Sequence, residues 1–439
     1  MKKSLFTIAL LLACLTMAAQ NISGSWNGKL SVGPQELTIV LNVSDNGCTL
    51  DSPDQGAKGI PCKTLFLSAD SISVDVPMIG ASYAGRLSDG KLVGKLTQMG
   101  YSFPLDLQPG EAIPERPQTP QPPYGYETHE VTFTNEAGDA TLAGTLSLPE
   151  GCNSSTPVVL MVSGSGLQNR DEEIFDHKPF AVIADHLARH GIASLRYDDR
   201  SCGKSTGDAS KATTADFGND AAAGIKYLKG LKQFGKVGVL GHSEGGLIAF
   251  SLAASGDVDF AITLASPAML GDSLLVEQNR LILQLNGTPA TYANAYTDAL
   301  AAVLAQRTNP RSTSTPQAFI DSIAANLPEP MRENLVTVLE EPNVWLDYWL
   351  AYSPRTDIAA ARCPVMAIAG SKDIKVAPSN LAIITSLLPQ NQHNRTRLYD
   401  GLNHLFQHCT TGSPMEYNAI IETISPEVLN DIAQWLLAL

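Results

Sequence analysis

Short apolar segments alternate with amphipathic segments between residues 157 and 265 of this 439-residue chain. The apolar segments have the length of strands, and the segments between them carry apolar residues at the spacing of one helix face. Strands that are apolar on both faces and separated by helices are typical of a parallel sheet built from βαβ units. The apolar segments read PVVLMV (157–162), ASLRY (193–197), KVGVLG (236–241) and FAITLA (260–265). This alternation predicts an α/β fold with a mostly parallel sheet flanked by helices.

The alternation stops near residue 269 and resumes near residue 363. Residues 269–355 are rich in Ala, Leu and Gln and have the pattern of consecutive helices, whereas CPVMAIAG (363–370) and TRLYD (396–400) again have the pattern of strands. An all-helical insertion between two strands of the sheet predicts a cap over a substrate pocket. A helical bundle packed on the flank of the sheet is the alternative.

The segment before the sheet has a different pattern. Residues 20–109 contain stretches in which apolar residues such as Ile39 and Leu41 alternate with polar ones, and Gly, Asp and Asn bound these stretches. Period-two alternation between turn residues predicts a small antiparallel all-β domain, either a sandwich or a barrel. Residues 110–125 contain several prolines and predict a stiff linker. The second domain, which contains the predicted parallel sheet, is therefore expected to span residues 126–439.

The first 19 residues have the features of a secretory signal. Lys2 and Lys3 precede an apolar run that ends in small residues near Ala19, and this run is too short and wrongly flanked for a membrane span. We therefore expect export to the periplasm or the extracellular space. Lipid attachment at Cys14 is an alternative, because residues 12–14 loosely resemble a lipidation motif.

Charge and hydropathy narrow the range of binding partners, and the cysteines bear on disulfides and metal sites. The net charge of −14 argues against nucleic acid as a partner, and no later segment has the length and apolarity of an integral membrane span. Cys48 and Cys62 lie close together in the all-β domain, and they are the pair that we expect to form a disulfide in an oxidising compartment. No Cys or His spacing matches a zinc site, so a structural metal is not expected.

A G-x-S-x-G sequence stands between an apolar strand and a helix-forming run. It reads Gly241-His242-Ser243-Glu244-Gly245 and is followed by LIAFSLAAS. A strand-to-helix turn of this kind exposes the serine hydroxyl at the C-terminal edge of the sheet, and it needs small residues on both sides of the serine. In this context the motif predicts the α/β-hydrolase fold, with Ser243 as the nucleophile.

A serine nucleophile needs a general base within hydrogen-bond reach, and the base needs a carboxylate that orients it. In α/β hydrolases the acid and then the histidine follow the serine along the chain. Asp373 comes just after the strand that ends at Gly370, and His404 lies in the loop after the next strand. Both loops belong to the edge of the sheet that carries Ser243, so Asp373 and His404 are predicted to complete a triad. His408 is the alternative base.

Backbone N–H groups beside the nucleophile are expected to form an oxyanion hole. The Gly-rich sequence 163–167 follows the first long apolar strand, which is where α/β hydrolases place one of the two donors. The sequence predicts Ser165 as this donor. The second predicted donor is Glu244, the residue after the nucleophile.

Five ordered motifs carry a family resemblance. They are GSGLQNRDE (164–172), LRYDDRSCGKSTG (195–207), GHSEGG (241–246), PVMAIAGSKDIKV (364–376) and LNHLFQ (402–407). Together they resemble the EstD-type esterases of the serine aminopeptidase-like α/β hydrolases, over about residues 126–439. The resemblance implies hydrolysis of small esters with short acyl chains, without a metal or an organic cofactor. It also implies that Ser243, Asp373 and His404 are the triad.

Three positions depart from the pattern of this family. Leu167, Asn169 and Ser201 stand where the family usually has Pro, Asp and Gly. These positions are expected in loops at the edge of the pocket, so the differences bear on the range of substrates rather than on the reaction.

Two other functions are compatible with the sequence. The related hydrolases include aminopeptidases, so a peptidase is the first alternative. The second is an exported binding protein that retains the hydrolase scaffold without its activity, because a fold alone does not establish a function.

Overall fold

The computed structural model describes residues 22–32, 35–44, 47–55, 57–110 and 116–439. The chain divides at residues 114 and 115 into two compact units. The predicted signal segment and Cys14 lie outside the described residues. None of the helices in the described ranges is long and apolar enough to cross a membrane.

The N-terminal unit is an antiparallel meander. Its strands are β1 (Gly24–Val32), β2 (Gln35–Ser44), β3 (Gly47–Ser52), β4 (Ala57–Leu67), β5 (Ser71–Val76), β6 (Ala81–Ser88), β7 (Lys91–Gln98), β8 (Tyr101–Pro104) and β9 (Gln108–Pro109). Each strand from β1 to β8 pairs with the next, and β9 returns to pair with β1. Leu107, just before β9, pairs with Leu92 of β7, so the last segment closes the meander into a barrel.

Alternating side chains of these strands form the core of the barrel. Ile39 and Leu41 of β2 are buried together with Val74 of β5 and Tyr83 of β6, as period-two alternation requires of a sheet with one buried face. The predicted antiparallel all-β domain is therefore confirmed, in the form of a barrel.

Cys48 and Cys62 occupy opposite positions on two neighbouring strands of the barrel, β3 and β4. Both are free thiols in the structure, so the disulfide stays a prediction. A hydrogen bond with Cys62, together with burial, raises the pKa of the Cys48 thiol above its ordinary value.

The C-terminal unit is built on an eight-stranded sheet. Its strands are β10 (Glu127–Thr134), β11 (Thr141–Leu148), β12 (Val158–Val162), β13 (Ala193–Tyr197), β14 (Val237–His242), β15 (Ala261–Leu264), β16 (Val365–Gly370) and β17 (Arg395–Tyr399). They lie in the order β10-β11-β13-β12-β14-β15-β16-β17. β11 is antiparallel to both of its neighbours, and all other neighbouring strands are parallel.

Some helices of this unit lie on the two faces of the sheet, and others form the insertion between β15 and β16. In chain order they are α1 (Pro179–Arg189), α2 (Thr214–Gly230), α3 (Glu244–Ser255), α4 (Gly271–Leu285), α5 (Ala290–Thr308), α6 (Pro316–Ala324), α7 (Glu329–Glu340), α8 (Val344–Ala351), α9 (Pro354–Ala359), α10 (Ser379–Leu387) and α11 (Pro426–Leu437). Local sequence explains several helix starts. Thr213 and Asp216 form a capping box before α2, and the Asn343 side chain accepts the amide of Leu346 at the start of α8.

Two apolar cores lie on opposite faces of the sheet. Successive residues of β12 alternate between them, since Leu160 packs with residues of α2 and α3 whereas Met161 packs with residues of α1 and α11. Both faces of the central strands are therefore buried, as expected of parallel strands with helices on each side. The predicted parallel sheet flanked by helices is confirmed.

Helices α4 to α8 form the insertion that the sequence predicted as a cap. They pack around a core of their own, which includes Val303, Ile320 and Leu335. A second apolar cluster joins Leu274 of α4 and Trp349 of α8 to the sheet unit. The insertion is therefore attached to the catalytic scaffold through α4 and α8.

The described end of the predicted linker is hydrogen-bonded to the C-terminal unit. The guanidinium of Arg116 donates to the carbonyls of Phe175 and Asn418 at 2.8 and 2.9 Å. The side chain of Gln118 donates to the carbonyl of Ile424 at 2.7 Å. These contacts fix residues 116–118 against the catalytic scaffold.

Candidate active site

Ser243 occupies a strained turn between β14 and α3. Its backbone angles are φ 52° and ψ −116°, in a region that residues other than glycine rarely adopt. The turn is held by hydrogen bonds from the Ser243 amide to the carbonyl of Leu264 at 2.8 Å and from the Gly246 amide to the carbonyl of Ser243 at 2.9 Å. Strain of this kind is common where a side chain must be presented for chemistry.

The flanking glycines are required because the backbone approaches itself closely. A Cβ atom at Gly241 would lie 1.9 Å from the carbonyl oxygen of Gly245, and one at Gly245 would lie 2.1 Å from the carbonyl oxygen of Val162. Neither contact is sterically possible, and in both cases the obstacle is backbone. The G-x-S-x-G pattern is therefore explained by packing within this turn.

Asp373 and His404 meet at the same edge of the sheet as Ser243. The Oδ2 atom of Asp373 lies 2.8 Å from Nδ1 of His404, and both side chains are buried. The Oδ1 atom of Asp373 accepts the backbone amides of Lys375 and Val376 at 2.8 and 2.9 Å. The carboxylate is thus fixed by its own loop and holds the imidazole in one orientation, with Nδ1 as the donor.

Ser243 and His404 line one cavity of about 360 Å³. Within the described residues the Ser243 hydroxyl does not hydrogen-bond to the imidazole. In substrate-free active sites, catalytic hydrogen bonds are often long and tighten only with substrate. The structure therefore brings the predicted nucleophile and base to one cavity, and the predicted acid is hydrogen-bonded to the base.

His408, the alternative base, lies elsewhere. Its side chain is 65% exposed and its Nδ1 atom contacts Glu422 at 2.8 Å. It lies in the loop after β17, as His404 does, but it faces solvent rather than the cavity. The structure does not bring His408 to Ser243.

His242 forms a link that the sequence analysis missed. Its Nδ1 atom lies 2.8 Å from a carboxylate oxygen of Glu172, and its Nε2 atom lies 3.0 Å from the carbonyl oxygen of His404. Burial lowers the pKa of His242, but the charge and hydrogen bond of Glu172 outweigh burial and the net pKa is raised. Both ring nitrogens lie beside oxygen atoms, and the ring ties the loop of His404 to Glu172.

The loop of the predicted oxyanion hole is held by buried carboxylates. The Gly164 amide donates to Glu172 at 2.7 Å, and Asp199 accepts both the Ser163 hydroxyl and the Gln168 amide. Ser165, between these fixed points, lines the cavity. No hydrogen bond engages its amide within the described part of the chain.

The backbone N–H of Glu244, the second predicted donor of the oxyanion hole, lies at the start of α3. Glu244 is the first residue of α3, where an N–H group has no acceptor within the helix, and it also lines the cavity. Its side chain points into the protein, where one carboxylate oxygen accepts the Thr214 hydroxyl at 2.6 Å and the Trp345 indole at 2.8 Å. Glu244 therefore joins the nucleophile turn to the start of α2 and to α8.

Asp199 has a strongly perturbed acidity. Burial raises its pKa to about 7, and the charges of Glu172 and Glu244 add to this effect, while hydrogen bonds from Gln168 and Ser163 oppose it. The carboxyl group thus changes its charge near neutral pH while it holds both ends of the oxyanion loop.

Replacing Asp199 by asparagine should remove a pH dependence of stability. The folded-state pKa of about 7 lies above the ordinary value of 3.8, so between these pH values the folded chain binds more protons than the unfolded chain. The wild-type free energy of unfolding should therefore fall as the pH rises across this window, by at most about 1.4 kcal/mol per pH unit. The contribution is complete below the unfolded value and is lost as the pH passes the folded value.

Thermal unfolding of both proteins from about pH 4 to about pH 8 measures this effect. The difference in Tm should shift in favour of Asp199→Asn as the pH rises, because asparagine stays neutral at every pH. A Tm difference that is the same at every pH would contradict the assignment.

The cap supplies an apolar wall of the cavity. Trp345 and Trp349 of α8 stack with ring centroids 5.6 Å apart, and Leu274 and Leu275 of α4 line the same space. A mostly apolar cavity with a few polar groups beside a nucleophile is typical of a small-molecule site. Within the described residues, no group of three or more His, Cys, Asp and Glu side chains is arranged to hold a metal ion.

The sheet order and the serine turn define the C-terminal unit as an α/β hydrolase. A family model described as X-Pro dipeptidyl-peptidase (S15 family) matches residues 138–408, which is more than half of the chain. The chain belongs to this family of hydrolases.

Relatives agree with the predicted resemblance, which is confirmed. The chain is 24% identical over 315 residues to esterase EstD of Thermotoga maritima, covering 72% of this chain and 68% of the relative. Two solved structures resemble it more distantly. Esterase Pf2001 of Pyrococcus furiosus is 17% identical with a TM-score of 0.43, covering 71% of this chain and 93% of that one. Est1E of Butyrivibrio proteoclasticus, with bound ferulic acid, is 16% identical with a TM-score of 0.45, covering 70% and 98%.

Proposed function

We propose that this chain is a serine carboxylic-ester hydrolase that acts on small, short-acyl esters through an acyl-enzyme. The observation that carries the proposal is the juxtaposition at one cavity of Ser243, on its strained turn, and His404, whose Nδ1 lies 2.8 Å from Asp373. A hydroxyl presented in this way becomes a nucleophile when the other ring nitrogen of His404, Nε2, takes its proton.

The proposed reaction has two halves. Nε2 of His404 takes the proton of the Ser243 hydroxyl while its oxygen attacks the ester carbonyl, and the amides of Ser165 and Glu244 donate to the resulting oxyanion. The intermediate collapses to a Ser243 acyl ester as the imidazolium protonates the leaving alcohol. Water, deprotonated by the same imidazole, then releases the acid and restores the serine. Asp373 stabilises the imidazolium in both halves.

The size and lining of the cavity support short esters. Its volume of about 360 Å³ is near the lower end of the range of small-molecule sites, about 300 to 1,000 Å³. The apolar wall formed by Leu274, Leu275 and the two tryptophans suits a short acyl chain. A long chain would have to leave the cavity.

The family description favours a second candidate, a peptidase that removes residues from a free N-terminus. Such a substrate carries an ammonium group, which needs a carboxylate to bind it. The carboxylates that line the cavity, Glu172 and Glu244, already accept hydrogen bonds from protein donors. One oxygen of each carboxylate is therefore already engaged by the protein, which favours the esterase over the peptidase.

The purified chain should therefore turn over p-nitrophenyl acetate and butyrate with a kcat/KM at least about a hundredfold above that for glycyl-prolyl-p-nitroanilide. It should also be labelled covalently by a fluorophosphonate. Faster turnover of the anilide than of every ester would assign the peptidase activity instead. If the chain shows no labelling and no turnover of any of these substrates, it is a binding protein on a hydrolase scaffold.

A further inference from the structure

The acidic side chains that line the cavity are already engaged. Glu172 accepts the Gly164 amide and contacts the imidazole of His242. Glu244 accepts a hydroxyl and an indole N–H. In both residues these hydrogen bonds reach Oε1, and they hold the carboxylate in place.

Lys375 also lines the cavity, and its ammonium group is free. The residue is half-buried on the loop after β16, and its backbone amide donates to Asp373 at 2.8 Å. Within the described ranges, no hydrogen bond or ion pair engages its Nζ atom. Lys372 on the same loop differs, because its ammonium donates to the carbonyls of Cys409 and Thr410 at 2.9 and 3.0 Å.

Other polar groups of the cavity wall are donors without a partner. The side-chain amides of Gln168 and Gln278 line the cavity, and no hydrogen bond engages either of them in the part of the chain that the structure describes. Trp349 and Tyr417 also line the cavity, but their indole N–H and hydroxyl are themselves buried. Among the described residues, the polar side chains that line the cavity without a hydrogen-bond partner thus include one cation, Lys375, and the neutral amides of Gln168 and Gln278.

Lys375 is close to the reacting atoms. Its amide is one hydrogen bond from Asp373, and Asp373 is one hydrogen bond from His404. A lysine side chain is long and flexible, with a compact charge at its tip. The ammonium can therefore reach a group a few bonds away from the ester carbonyl that Ser243 attacks.

We propose that the preferred substrates are esters with a second, ionised carboxylate, namely half esters of short dicarboxylic acids, and that Lys375 binds this carboxylate. The proposal rests on the esterase function. The reaction is balanced as before. The alkoxide leaves as an alcohol with the proton from His404, Ser243 carries the half-acid acyl group, and water releases the dicarboxylate. Lys375 takes no part in proton transfer and acts as a specificity-determining residue.

Monoethyl succinate and ethyl butyrate test this proposal, because they differ by a carboxylate in place of a methyl group. Proton release near neutral pH gives kcat/KM for each ester. The wild type should prefer monoethyl succinate. Lys375→Gln should lower kcat/KM for monoethyl succinate by about tenfold or more, since a hydrogen bond to a charged group is lost, and should lower kcat/KM for ethyl butyrate by a much smaller factor. Lys375→Glu should reverse the preference.

Lys229→Gln is the matched control, because it removes the same charge from an exposed position at the end of α2. It should change neither rate. If the ratio of kcat/KM for monoethyl succinate to kcat/KM for ethyl butyrate is the same in the wild type and in Lys375→Gln, the role of Lys375 is overturned while the esterase function stays intact. If the wild type hydrolyses neither ester, the esterase function itself is overturned.

Discussion

Ser243→Ala should lower kcat for p-nitrophenyl butyrate by about five orders of magnitude, because removal of a serine nucleophile leaves only the contributions of binding and of the oxyanion donors. The variant should fold normally, since alanine and serine tolerate the positive φ at residue 243 equally well. Steady-state hydrolysis, with far-ultraviolet circular dichroism as the check of folding, measures the effect.

Ser165→Ala is the matched control for this experiment. Ser165 lies at the same cavity, and in the proposed mechanism it contributes its backbone N–H rather than its hydroxyl. Its alanine variant should therefore keep most of the activity. A folded Ser243→Ala protein with activity near that of the wild type would exclude Ser243 as the nucleophile.

Asp373→Asn should lower kcat by about four orders of magnitude near neutral pH. The asparagine oxygen can still accept the amides of Lys375 and Val376, which turns its NH₂ group towards Nδ1 of His404. The imidazole then carries its proton on Nε2, the wrong nitrogen to accept the proton of Ser243. The kcat of this variant and its rate of labelling by a fluorophosphonate should fall together.

Asp400→Asn provides the comparison. Asp400 is an exposed carboxylate on the loop after β17 and accepts the Ser371 hydroxyl, so the same chemical change is made away from the cavity. Its kcat should stay near that of the wild type. Retention of high activity in Asp373→Asn would instead place the orienting carboxylate elsewhere.

Much of the fold could be predicted from the sequence, because short local sequence patterns determine it. The two faces of β12 were predicted from an apolar run, and the turn at Ser243 from glycines whose Cβ atoms would collide with backbone. Asp373 and His404 were predicted from chain order and from the ends of their strands. Each inference uses a periodicity or a steric rule that acts over a few residues.

The supporting contacts of the site did not follow from the sequence. Glu172 and His242 are 70 residues apart, and Glu244 and Trp345 are 101 residues apart. Such pairs meet only through the packing of whole elements, and a single sequence carries no signal of that packing. The raised pKa of His242 depends in turn on this packing, because it requires the buried carboxylate of Glu172 beside the ring.

The separate core of the cap has a consequence for how this enzyme could diversify. Helices α5 to α7 pack on one another around Val303, Ile320 and Leu335, whereas α4 and α8 supply the wall beside Ser243. Substitutions in the three outer helices reach the pocket only through the shared core, which includes Leu350 of α8, whereas a change in one or two positions of α4 or α8 alters the pocket lining directly. New selectivity could therefore arise from two short segments while the proton-transfer machinery stays untouched.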